Sequence, residues 1–119
     1  MLLRHATPAR NLAGILRAGL LASKSRGKLA AVWLCSPNKS SWATLHVVKR
    51  HGGRVETTVV LEVDVPRGWL RRSRGGLWYT TRDVPPGRIR RVIDFAEMAA
   101  SPADEGPQAP GRSVALAAG

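Results

Sequence analysis

The chain has 119 residues, with 19 lysines and arginines against 8 aspartates and glutamates, for a formal net charge of +11. This length fits one small domain, and an apolar content of 44% excludes disorder throughout the chain. No apolar run is long enough to cross a bilayer and no signal peptide is recognisable, so we expect no membrane partner. The lone Cys35 fits a reducing compartment, which favours a cytoplasmic location.

The excess positive charge lies in the first 98 residues, which hold 18 basic and 6 acidic side chains and carry a net +12. Such a domain attracts polyanions through counterion release, and nucleic acid is the partner we expect. The alternative is that the arginines only cover a solvated surface. Residues 99–119 are rich in Ala, Pro, Gly and Ser without periodicity, so we predict a domain over 1–98 and a disordered tail over 99–119.

The first predicted unit is a short strand that runs into a helix. Thr7-Pro8 has the residue types of a helix N-cap and first helical position, and Gly19 is suited to end that helix. His5 then lies where the strand meets the helix N-terminus, a place that offers backbone N–H groups to an anion such as a pyrophosphate.

The second predicted unit is a buried strand over 30–35 followed by a helix over 42–50. Ser40 or Ser41 is placed to start this helix, and Gly52-Gly53 to stop it. Its shared face carries three apolar residues: Trp42, Leu45 and Val48. Trp33 and Trp42, each considered by itself, are best interpreted as plain core residues, and Cys35 as a small buried hydrophobe.

The second half of the chain is predicted to be mostly strands. Alternating apolar and polar residues indicate a strand over 55–65, and a basic loop follows over 66–76. Strands over 77–81 and 88–95 flank a Val-Pro-Pro-Gly turn. The chain is therefore predicted to fold as a mixed α+β domain with helices early and strands later.

Three segments resemble the ADP-ribosyltransferase fold in its His-bearing branch, which includes RNA 2′-phosphotransferases and DNA-modifying toxins. The first segment matches the branch at His5, Thr7, Asn11, Ile15, Leu16, Gly19 and Leu20. The second covers residues 32–36, where the family has a strand that ends in a small hydroxyl or aromatic residue. The third covers residues 78–89, with the Pro-Pro turn between two strands. The resemblance implies two small packed β-sheets around a cleft, with two or three short helices.

The resemblance also implies a function, namely NAD-dependent transfer of ADP-ribose to a macromolecular acceptor such as DNA or RNA. The toxin relatives would add an antitoxin as a further partner. His5 and Thr7 would fix the ribose, Tyr79 would stack on the nicotinamide, and Arg10 or Arg82 would hold the pyrophosphate. The expected catalytic residues are His5 and Tyr79, and the expected NAD-binding residues are His5, Thr7, Arg10, Trp33, Ser36, Trp78, Tyr79 and Arg82.

One departure from the family affects the predicted chemistry. Most active members carry a Glu near the start of the last motif, where this chain has Leu77 and Trp78, and no carboxylate occurs between Asp64 and Asp83. Either the protein uses other groups such as Tyr79 and Arg82, or it is a binding module on the same fold. A further alternative is that Glu56 or Glu62 folds back to replace the acid.

Two remaining features concern ligands other than NAD. The basic loop carries Arg71, Arg72 and Arg74, and arginine binds phosphate well because its planar guanidinium can donate to two oxygens. We therefore expect these arginines to bind nucleic acid. No metal site is expected, because His46 and His51 lack zinc-helix spacing and the chain has one cysteine.

Overall fold

A computed structural model describes residues 1–25 and 28–94, which form six strands and two α-helices in a mixed α/β fold. The strands are β1 (Leu2–Pro8), β2 (Val32–Cys35), β3 (Thr58–Asp64), β4 (Arg71–Arg72), β5 (Leu77–Thr80) and β6 (Ile89–Ile93). The helices are α1 (Leu12–Ala18) and α2 (Ser40–His51). Both are shorter than a bilayer-crossing helix, and no other described helix has that length and apolarity. The predicted tail over 99–119 lies outside the described residues.

All six strands belong to one antiparallel sheet, in the order β4-β5-β2-β1-β3-β6. This differs from the two separate packed sheets that we expected. The sheet nevertheless has two halves: β1 pairs with β3 over seven positions and β2 with β5 over four. Between the halves, β1 and β2 share the single residue pair Arg4–Cys35. From His5 onward β1 separates from β2, and this separation creates the space for a cleft.

The main core lies on the face of the sheet that α1 covers. Its residues recur at every second position along β3 and just past its end, as in Leu61, Val63 and Val65, because alternate side chains of an extended chain point to the same face. The alternation predicted for the strand over 55–65 is confirmed, although β3 itself is shorter. Leu12 and Ile15 of α1 pack on this core, whereas Leu16 is 48% exposed.

The first helix begins later than predicted. Strand β1 continues through Pro8, a 3₁₀ turn spans Ala9–Asn11, and α1 starts at Leu12. Thr7 is not an N-cap, because its pairing with Val59 of β3 holds it in the extended conformation. Gly19 ends α1 as predicted, with a φ of +87° that suits glycine.

The second helix presents a different face to the sheet from the one predicted. Trp42 and Leu45 are 48% and 57% exposed, whereas Ser40 and Thr44 are buried. The reason is the buried Arg4 on β1, whose Nη1 donates to Ser40 Oγ at 3.1 Å. A buried guanidinium needs hydrogen-bond acceptors, so the hydroxyl side chains of α2 face the sheet and its large apolar side chains point away.

Candidate functional site

The separation of β1 from β2 opens into a cleft of about 1330 Å³. His5 and Trp33 line it where the two strands diverge, and α1 and α2 supply its walls. The polar and aromatic residues that the helical segments contribute are Arg10, Asn11, Arg17, Lys24, Trp42, His46, Arg50 and His51.

His5 is the residue whose chemistry the cleft defines best. Its Nδ1 lies 2.7 Å from the backbone carbonyl oxygen of Trp33. Since a carbonyl only accepts, the neutral ring carries its proton on Nδ1 and presents an unshared electron pair on Nε2. Burial lowers the pKa of His5 and the bond to Trp33 only partly opposes this, so the ring is neutral at neutral pH. Nε2 is thus a hydrogen-bond acceptor for a ligand hydroxyl.

The described part of the cleft is cationic. Its lining includes Arg10, Arg17, Lys24 and Arg50, and no described aspartate or glutamate takes part in it. Arg4 also lines the cleft, but its charge is compensated by Glu62 at 3.3 Å. Uncompensated guanidinium and ammonium groups around a concave space favour an anionic ligand, above all a phosphate.

Aromatic rings give the cleft flat surfaces. Trp33 is 39% exposed and lies against Tyr79, with ring centroids 5.0 Å apart. Trp42 stacks on His46, with centroids 5.2 Å apart and an interplanar angle of 15°. The interpretation of Trp33 and Trp42 as core residues is therefore wrong. Their exposed faces are suited to stacking on a nicotinamide or a base.

Four of the predicted NAD-binding residues line the cleft together, namely His5, Thr7, Arg10 and Trp33. Tyr79 does not line it and reaches its edge only through the contact with Trp33. The pairing of Trp33 with Tyr79 places both rings on the sheet face that α2 covers. Tyr79 is thus outside the cleft lining in which it was predicted.

Ser36, Trp78 and Arg82 lie elsewhere, so the structure corrects their predicted place in the cleft. Ser36 Oγ donates to the carbonyl of Gly76 at 3.3 Å. Trp78 points to the opposite sheet face because side chains alternate along β5, and there it packs on the core. Arg82 lies over the ring of Trp69, 5.0 Å from its centroid.

The acidic residues proposed to replace the missing Glu do not line the cleft either. Glu62 points toward α2 and pairs with Arg4. Glu56 is exposed in a 3₁₀ turn that precedes β3. Asp83 accepts a hydrogen bond from the backbone N–H of Ala22 at 2.8 Å. None of these three carboxylates lines the cleft.

Cys35 also lines the cleft, but the residue is only 2% exposed, as expected for a small buried hydrophobe. Burial raises the pKa of Cys35 to about 11, against the opposing effect of Arg4 and Lys39. The thiolate is therefore scarce at neutral pH, and Cys35 is not a nucleophile there.

The sequence did not single out Arg17, His46 or Arg50. A usable signal was present, because Trp42, His46 and Arg50 follow each other at four-residue spacing and so share a helix face. The arginines predicted to bind nucleic acid are exposed, but Arg71 and Arg72 form the edge strand β4 rather than a loop. Arg74 lies beyond that strand.

No protein-family model matches this sequence, and a search of curated proteins finds no significant match. The functional inference therefore depends on the cleft and on the residues that line it.

Proposed function

We propose that the cleft binds NAD and that the protein transfers its ADP-ribose portion to a macromolecular acceptor, with nucleic acid the favoured class. The observation that supports this most directly is His5. A neutral imidazole with a free acceptor nitrogen, set in a cationic cleft, is suited to a sugar hydroxyl whose neighbouring groups are phosphates.

The lining residues fit the parts of a dinucleotide. His5 and Thr7 are the candidates for the ribose hydroxyls, Arg10 and Arg17 for the pyrophosphate, and the exposed face of Trp33 for a flat ring. The volume of about 1330 Å³ exceeds the roughly 300–1,000 Å³ of sites for drug-sized ligands, so a dinucleotide has room. The ADP-ribosyltransferase-like relationship is part of this proposal.

The proposed reaction is a substitution at the ribose C1′ of NAD. The bond to nicotinamide breaks and its electron pair leaves with nicotinamide, while an acceptor oxygen or nitrogen bonds to C1′ and loses a proton. His5 would hold the ribose in place, and Tyr79 would help to position the flat ring through Trp33. Any stabilisation of the electron-poor ribosyl centre must come from groups other than a cleft carboxylate.

A second candidate function is a non-catalytic module that binds nucleic acid. It is favoured by the cleft lining, which has no carboxylate among the described residues, and by the exposed Arg71, Arg72 and Arg74. On this alternative the protein binds DNA or RNA in a salt-sensitive manner and does not consume NAD.

Thermal unfolding in low salt, with and without millimolar NAD, tests the proposal. A ligand at 100 times its dissociation constant stabilises the folded state by roughly 2.7 kcal/mol. The matched variants are His5→Asn and His5→Ala. An Asn amide can still donate to the Trp33 carbonyl but offers no nitrogen acceptor in the place of Nε2. We expect a clear NAD shift in the wild type and its loss in both variants.

No shift in the wild type would overturn NAD binding. The same shift in wild type and His5→Asn would overturn the role of His5 in that binding. Turnover is then measured as nicotinamide release, together with the mass of an added oligonucleotide. An increase by one ADP-ribose that disappears in His5→Asn supports the transferase. Oligonucleotide binding without a mass change or nicotinamide release supports the binding module instead.

A further inference from the structure

A second cationic feature lies apart from the cleft, around Trp69. This residue belongs to a 3₁₀ turn, Arg67–Trp69, between β3 and β4. Arg82, which follows β5, places its guanidinium carbon 5.0 Å from the Trp69 ring centroid. Arg88, from the 3₁₀ turn before β6, lies 5.5 Å from the same centroid. Three separate turns of the chain thus converge on one ring.

This arrangement places two positively charged groups against one aromatic ring. Among the described residues, neither Arg82 nor Arg88 forms an ion pair, and Asp83 bonds the backbone of Ala22. Arg90 is different, because its Nη2 lies 3.2 Å from Asp64 Oδ2. Cation–π attraction holds each guanidinium against the ring, and neither has a described acid as partner, so both can donate hydrogen bonds to a bound anion.

We propose that Arg82 and Arg88, held against Trp69, bind phosphates of a nucleic-acid strand. Each guanidinium can donate to two phosphate oxygens, and contact with the ring restricts the side chains before binding. Arg67, Arg71 and Arg72, all exposed, continue the positive charge along the chain from Trp69. Repeated positive charge with no carboxylate between Asp64 and Asp83 fits a repeating phosphodiester better than an acidic protein.

The proposal goes beyond NAD binding, because none of these residues lines the cleft. We call the surface formed by Arg82, Arg88 and Trp69 the anchor. In the proposed transferase the anchor would hold the acceptor strand, and that role rests on the proposed function. Phosphate contacts position a strand without reading its sequence, so the anchor would serve many sequences.

The test compares two double variants that remove the same charge. Arg82→Gln/Arg88→Gln changes the proposed anchor. Lys49→Gln/Arg54→Gln is the control, because both residues lie outside the cleft lining and away from Trp69 in the sequence. Binding of a fluorescein-labelled DNA duplex of about 20 base pairs, long enough for several phosphate contacts, is measured by anisotropy at a series of NaCl concentrations. NAD binding is measured by thermal shift.

We expect the anchor variant to weaken duplex binding and to reduce the log–log salt slope by about 0.9 for each phosphate that it no longer neutralises. The control should leave the slope nearly unchanged. Equal losses of duplex affinity in both variants would show that the duplex is held by overall positive charge alone. Unchanged affinity in the anchor variant would show that Arg82 and Arg88 do not bind the duplex. Either result overturns the proposal. So would weaker binding of poly-glutamate with unchanged DNA binding, which would indicate an acidic protein partner.

The NAD thermal shift separates this proposal from the proposed function. An anchor variant that keeps the wild-type NAD shift but loses duplex affinity supports a distinct nucleic-acid site. If wild type shows no NAD shift while the anchor result stands, the transferase fails and the anchor remains. If the anchor variant loses the NAD shift as well, Arg82 or Arg88 acts on the cleft and the proposal of a separate site is wrong.

Discussion

The side chain of His5 hydrogen-bonds to the backbone carbonyl of Trp33 and so connects the two halves of the sheet, where strand pairing is limited to one residue pair. The Nδ1–O distance is 2.7 Å, and the bond lies next to the single residue pair that β1 shares with β2, Arg4–Cys35. One imidazole therefore does two things at once: it bridges the strands where they separate, and it faces the cleft that the separation creates.

The lowered pKa of His5 predicts a pH dependence of stability. Between its ordinary pKa of 6.5 and the lower folded value, the unfolded chain binds a proton that the folded chain does not. The contribution of neutral His5 to the free energy of unfolding is fully present above pH 6.5, and it declines as the pH falls below that value. Urea unfolding of wild type and His5→Asn, from neutral to mildly acidic pH, should show a steeper decline for wild type. Parallel curves would contradict this assignment.

The buried Arg4 predicts that Glu62 stabilises the fold. Arg4 and Glu62 side chains are 9% and 21% exposed, and they lie 3.3 Å apart. Glu62→Gln should reduce the free energy of unfolding by about 2 kcal/mol, less than the roughly 3–5 kcal/mol typical of a fully buried pair.

The exposed pair Arg90–Asp64, at 3.2 Å, is the matched control for this measurement. Arg90→Gln should cost about 0–1 kcal/mol, because solvent screens the pair. Chemical denaturation of both variants decides the comparison, and equal costs would mean that burial of Arg4 adds nothing.

Gly19 and Gly14 predict opposite effects of the same substitution. Gly19 has a φ of +87°, and a Cβ there would overlap the carbonyl oxygen of Val84. Gly19→Ala should destabilise by at least about 2 kcal/mol. Gly14 lies in α1 with open space around it, so Gly14→Ala should stabilise by roughly 0.5–1 kcal/mol. Thermal melts of both variants test the prediction, and a neutral Gly19→Ala would refute the overlap.

Arg50 and Lys49 are neighbours on α2, but only Arg50 lines the cleft. The proposed NAD site predicts that Arg50→Gln weakens ADP-ribose binding by about three- to tenfold, the range for loss of one typical hydrogen bond. Lys49→Gln removes the same charge and should leave the affinity near the wild-type value. Isothermal titration calorimetry measures both, and equal losses of affinity would show that net charge alone attracts the ligand.

Local patterns predicted the elements of this protein. The alternation in β3, the end of α1 at Gly19 and the end of α2 at Gly52 follow from side-chain period and glycine conformation, which act between near neighbours. Because these features need no knowledge of distant residues, the amino-acid sequence is enough to predict them. The predicted position of His5 where the strand meets the helix was wrong, because pairing with β3 extends β1 to Pro8 and makes His5 its middle residue.

Contacts between remote segments select the side chains that form the sites. Trp42 points outward because buried Arg4, far away in the chain, recruits Ser40 to the inner face of α2. Arg82 meets Trp69 rather than the cleft because strand alternation and chain reversal carry it to another surface. The physical reason is that buried charge and strand pairing act between residues remote in sequence. The periodicity of apolar residues within one segment does not reveal such contacts.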